Sequence, residues 1–123
     1  MRKIKQALSF VGASAMLVVS VSLVSVPAAV ADEASIAEGK KIAFNRKKGN
    51  CLACHMADDG ALPGNIGPPL IAMKARYPDK AALRAQIWDA TVKNPNSIMP
   101  PFGKHGILSE DEIDKITDYI HTL

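Results

Sequence analysis

The rhythm of apolar and polar positions changes several times along the chain. From Ala7 to Val26 the sequence is uncharged and largely apolar, behind Arg2, Lys3 and Lys5 and ahead of Pro27 and the small-residue stretch Ala28 to Ala31. Beyond it, helical spacing returns in three places. Ser35 with Glu38 three residues later reads as a capping box, opening a helix that runs to about Arg46–Lys48 with Gly49 as its C-cap. Asp79, after Pro78, predicts a second helix through about Lys93, with Leu83, Ile87 and Thr91 four apart. Ser109 with Glu112 is another capping box, stapled by Leu108 and Ile113, and Ile113, Ile116 and Ile120 share one face of the last helix. A short helix from about Leu70 to Arg76 is also expected. Between these lie the Pro- and Gly-rich runs LPGNIGPPL (62–70) and NPNSIMPPFG (94–103), and period-two alternation nowhere persists long enough for a strand. The predicted class is all-α, with long ordered loops.

A basic start, an apolar middle and the A-x-A end Ala29-Val30-Ala31 describe a secretory signal peptide over residues 1–31, cleaved before Asp32. The rival is an uncleaved anchor, since the apolar run is long enough to span a bilayer. Ser9, Ser14, Ser20, Ser22 and Ser25 dilute it, and Pro27 breaks it just ahead of the cleavage box. The expected product is a periplasmic domain, 32–123, with no membrane span. Cleavage would remove three basic residues and no acidic one, so the formal charge of +3 falls to zero. A neutral chain gives no composition argument for nucleic acid. At about 90 residues it has a thin core whose aromatics are Phe44, Tyr77, Trp88, Phe102 and Tyr119. Exported domains this small usually need disulfides, a metal or a cofactor to fold. The two cysteines lie within four residues of each other, so a cofactor is expected to complete the core.

Cys51-Leu52-Ala53-Cys54-His55 supplies the chemistry: it reads as an attachment site for haem c. Residues three and four apart share one face of a helical turn, so both sulfurs can reach the two vinyl groups of one porphyrin while His55 projects toward the iron. A thioredoxin-type redox pair would need alternating strands and helices. A zinc site would need His105 and His121, which stand at no recognisable finger spacing. For the sixth iron position the candidates are methionines, because Met/His ligation raises the potential. Met56 adjoins His55 and cannot reach the opposite haem face; Met73 falls in the short helix, where a methionine more often fills core. Met99, in a Pro-stiffened loop, is the expected ligand, and His105 is the alternative. A ligating histidine normally donates its other ring N–H to an acceptor. The carbonyl of Pro68, in Gly67-Pro68-Pro69-Leu70, is the candidate.

The ends of the domain resemble class I cytochrome c: a first helix with Gly39 and Phe44, the CxxCH turn, a GPxL loop, a methionine loop, and a last helix with an aromatic at Tyr119. The resemblance implies that the first and last helices cross at Gly39 and that Pro68 accepts from His55. One departure is that more residues than usual separate Gly39 from Cys51. The runs KKGNCLACH (47–55), PGNIGPPL (63–70), LRAQIWDAT (83–91) and NPNSIMPPFGKHGILSEDEIDKITDYI (94–120) are similar more narrowly to the SoxX family. That resemblance implies one haem, covalent through Cys51 and Cys54, and a heterodimer with a SoxA-like haem subunit that holds the catalytic haem. It implies oxidative joining of thiosulfate to a cysteine of a SoxYZ-like carrier (L-cysteine S-thiosulfotransferase activity), with electrons passed on to a downstream cytochrome c. The alternative is a free-standing electron shuttle with no obligate partner; a neutral domain argues mildly against it, because shuttles rely on charge patches for steering.

Overall fold

A computed structural model describes residues 32–123, so the predicted signal peptide lies outside the described residues. Helix α1 spans Glu33–Phe44. Its N-cap is Asp32, whose carboxylate accepts from the Ser35 amide at 2.6 Å. Ser35 does not cap: its hydroxyl donates to Asp118 on the last helix at 2.8 Å. The helix also stops earlier than the basic run suggests. Asn45 takes an extended conformation and its side-chain oxygen accepts from Lys47 N–H at 2.8 Å, a local bond that competes with helix continuation. Lys48 then pairs with Glu112 across the domain instead of complementing a helix end.

Helix α2 is the single turn Met73–Arg76, and α3 runs Lys80–Trp88, capped by Asp79 on the Ala81 amide at 2.9 Å. The expected extension of α3 to Lys93 does not occur. The Asp89 carboxylate bonds Thr91 N–H and its hydroxyl, which draws the chain out of the helix and starts a separate 3-10 turn at Ala90–Val92. Helix α4, Glu110–Ile120, carries the predicted capping box in full, with Leu108 and Ile113 both buried beside it. Among the described residues there is no strand, only an isolated parallel bridge between Ala57 and Leu70. No helix among them is long and apolar enough to cross a membrane.

α1 and α4 cross at Gly39. A Cβ placed there would stand 1.9 Å from the Lys115 carbonyl oxygen, so only glycine permits the approach. One turn along, Phe44 meets Tyr119 edge-to-face with ring centroids 5.9 Å apart. The added length after Gly39 is absorbed by the turn 45–50, which leaves the helix crossing intact. The Asp58-Asp59 turn is fastened to α1 by Lys40, whose ammonium lies 2.7 Å from each carboxylate. The core forms where α3 and α4 face the loops: Met73, Leu83, Ile87, Phe102, Leu108, Ile116 and Ile120 are buried there.

Candidate functional site

The attachment motif forms one tight turn. Asn50 enters it in the left-handed region at φ 48°, a conformation asparagine tolerates, Cys51–Ala53 wind as a 3-10 helix, and the His55 amide closes the turn onto the Cys51 carbonyl at 2.9 Å. Both sulfurs and the imidazole therefore come from one turn, as the spacing predicts. Burial pushes the Cys51 thiol up to about 11. That is opposite to the depressed thiol that a thioredoxin-type pair needs. Among the described residues, no three His, Cys, Asp or Glu side chains converge to hold a metal ion as a zinc site would.

The loop 62–70 wraps this turn. Gly64 N–H donates to the Leu52 carbonyl at 2.7 Å, Gly67 N–H to Cys54 at 2.8 Å, and Leu70 N–H to Met56 at 2.8 Å. A Cβ on Gly67 would stand 2.4 Å from the His55 ring, so the backbone here packs directly on the imidazole. His55 Nδ1 lies 2.7 Å from the Pro68 carbonyl oxygen, the partner the sequence suggested. A carbonyl can only accept, so the proton sits on Nδ1 and Nε2 is left with its lone pair. Arg76 reinforces the loop by donating to the Pro69 carbonyl at 2.8 Å. Nothing in the residue pattern singles out Arg76, because its role exists only once α2 packs against the loop.

Cys51, Cys54 and His55 form one wall of a cavity of about 700 Å³, inside the range of cofactor pockets. Met73, Leu83, Ile87, Phe102, Ile116 and Ile120 form an apolar interior, Pro68 lines the cavity beside His55, and Met99 and Pro100 contribute a further part of the lining. Met73 shares the lining, but its sulfur accepts from Arg76 at 3.4 Å and it is fully buried, the behaviour of a core residue. Met56 and His105 are exposed and do not line the cavity; His121 Nε2 faces the Tyr77 carbonyl at 3.0 Å instead. Two thiols, one imidazole with a lone-pair nitrogen, one thioether and a largely hydrocarbon surface fit a haem. Those residues would hold it, and Ile66 and Ile98, both exposed, rim the opening.

Residues 34–120 match the family described as cytochrome c oxidase, cbb3-type, subunit III. The chain is 40% identical over 76 residues, 61% of its length, to an uncharacterized lipoprotein of Aquifex aeolicus (strain VF5), and it spans 37% of that relative's length. It superposes on a chain of the crystal structure of SoxXA from P. pantotrophus with a TM-score of 0.63 and 28% identity, over 70% of this chain and 79% of that one. The helical fold is thus shared with a solved chain of SoxXA. This chain belongs to the cytochrome c oxidase, cbb3-type, subunit III family and is a SoxX-like, haem c-binding electron-transfer cytochrome.

Proposed function

We propose that residues 32–123 are the exported monohaem small subunit of a SoxXA-type pair. The observation that carries the reading is the likeness to SoxXA, 28% identical over 79% of that chain. In this reading Cys51 and Cys54 would hold the haem by thioether bonds, His55 Nε2 and the Met99 sulfur would bind its iron, and residues 1–31 are a cleaved signal. The apolar run behind Arg2, Lys3 and Lys5 supports export.

When bound, haem supplies a centre that takes up and releases one electron at a time. The chain's own residues determine what that centre can do. Pro68 holds the His55 proton on Nδ1 and so keeps Nε2 as the donor atom. The thioether of Met99 would supply the second protein ligand to the iron and would favour the reduced state. The largely apolar lining would pack against the haem and offers few polar groups to hold a substrate. Joining thiosulfate to a carrier cysteine forms one S–S bond and releases a proton and two electrons. That step belongs to the SoxA-like partner, and this chain relays the electrons singly to a downstream cytochrome c.

The test uses the purified holoprotein with thiosulfate and a SoxYZ-like carrier. Alone it should cycle between redox states without turnover; adding the SoxA-like haem subunit should give coupling. Turnover by the isolated chain would overturn the reading. Failure to bind any SoxA-like subunit would favour the free electron shuttle.

A further inference from the structure

The methionine loop hangs on one carboxylate. Its two ends return to the same place, the C-terminus of α3. At the near end, Asp89 Oδ1 accepts from Thr91 N–H at 2.9 Å and from the Thr91 hydroxyl, which sets the 3-10 turn Ala90–Val92. From that turn the Ala90 carbonyl accepts from Asn94 N–H at 3.2 Å, the Asn94 carbonyl from Ser97 N–H at 2.9 Å, and the Ser97 hydroxyl from Met99 N–H at 3.2 Å. At the far end, Asp89 Oδ2 pairs with Lys104 at 2.9 Å. The Trp88 carbonyl accepts from Gly103 N–H at 3.1 Å, and the indole lies so close to Gly103 that a Cβ there would meet it at 2.1 Å. Asp89 itself is only 6% exposed. Loops of this size with joined ends are held by their own packing, and their rigidity depends on the fastening points.

We infer that Asp89 is a positioning residue for the axial ligand: its two oxygens tie the two ends of the 90–104 loop together and so fix where the Met99 sulfur sits. The inference rests on Met99 being the sixth ligand. Neither oxygen touches the cavity, so Asp89 acts through the loop and not on the iron. A loop released at one end samples detached states more often, and an added ligand then competes more readily for the iron.

The experiment measures imidazole binding to the oxidised holoprotein at pH 7, with the weak far-red sulfur-to-iron absorption and the reduction potential read on the same samples. Asp89→Asn retains an acceptor for the Thr91 amide but loses the ion pair, and Lys104→Met loses the same pair from the other side. Both are expected to raise the imidazole on-rate about tenfold, which is about 1.4 kcal/mol in barrier, to weaken the far-red band and to lower the potential. Amide exchange should quicken over residues 94–104 while α1 and α4 stay protected. Lys104→Arg, which keeps the cation, should return all readouts to within about twofold of the native chain. The Asp89→Asn, Lys104→Met double variant should resemble either single one, because one pair is removed in each. If Met99→Ala abolishes the band but neither pair variant moves the imidazole rate by more than about twofold, the positioning role is overturned while the ligand assignment stands. If Met99→Ala leaves the band in place, the ligand assignment fails and the inference fails with it.

Discussion

On the proposed attachment, replacing Cys51 and Cys54 together by alanine removes both covalent anchors of the haem, and the fold itself should follow. The reason lies in which residues line the cavity: Met73, Leu83, Ile87, Phe102, Leu108, Ile116 and Ile120 are both its surface and the larger part of the buried core. Leaving a void in such a core costs about 24 cal/mol per Å³. For about 700 Å³ that is about 17 kcal/mol if nothing relaxes. The cavity opens on one side, so collapse and water entry reduce the penalty, but a third of it is still about 6 kcal/mol. A domain of about 90 residues has a total stability of about 5–14 kcal/mol. The double variant, exported normally, should therefore lose its cooperative thermal transition by circular dichroism, elute from gel filtration as an expanded species, and be cleaved rapidly by protease. A sharp cooperative transition in the haem-free variant, at a temperature near that of the native protein, would refute the reasoning.

Gly39→Ala should lower the melting temperature of the holoprotein by about 10 °C or more, because a Cβ 1.9 Å from the Lys115 carbonyl must push two backbones apart and overpacking costs about 1–3 kcal/mol. Tyr119→Phe should cost nothing in thermal stability and can add about 1 kcal/mol: its hydroxyl is buried with no hydrogen-bond partner among the described residues, and burial pushes its ionisation up to about 12. Hydrogen bonds from Thr91 and Lys104 hold the Asp89 carboxyl down to about 2, below its ordinary 3.8. Its stabilising effect is therefore present above pH 3.8 and lost as pH falls toward 2, so an acid unfolding titration should show a step in that window that Asp89→Asn lacks.

Features that local chemistry decides were legible in the residues. The two reciprocal bonds of the capping box Ser109–Glu112 lie within one turn, and α4 begins where that pattern says. The CxxCH turn is equally local, and the Pro68 acceptor was found because a ligating histidine needs one and the rigid loop lies close in sequence. The misread boundaries are those at which a side chain chose a distant partner or an alternative local bond. Ser35 has the capping pattern, yet its hydroxyl goes to Asp118, and Asp32 takes the cap. Asp89 sits inside an apolar rhythm that reads as continuous helix, because periodicity does not register a carboxylate that ends one helix and starts the next turn. The Asp-x-Thr spacing was the available signal. The cavity wall was not legible at all, since Met73, Leu83 and Ile116 become neighbours only by folding.

The two walls of the cavity are built on different principles, and that difference bears on electron transfer. The wall that carries Cys51, Cys54 and His55 is knitted by backbone bonds between segments close in sequence: Leu52 to Gly64, Cys54 to Gly67, Met56 to Leu70. The wall that carries Met99 meets the rest of the domain chiefly at the end of α3, through Trp88, Asp89 and Ala90, and through the buried ring of Phe102. At the α1–α4 crossing, Gly39 and Lys115 stand outside the cavity lining, and α4 reaches the cavity through Ile116 and Ile120. Openings of low free energy are drawn from segments with few fastenings, so the methionine wall should loosen well before the helices separate. Axial ligation by methionine is also what raises the potential of such a haem. With Met99 as the proposed ligand, redox tuning is thus concentrated in residues 88–104, where substitutions would change how the iron is held while the crossed helices and the CxxCH turn keep the haem in place.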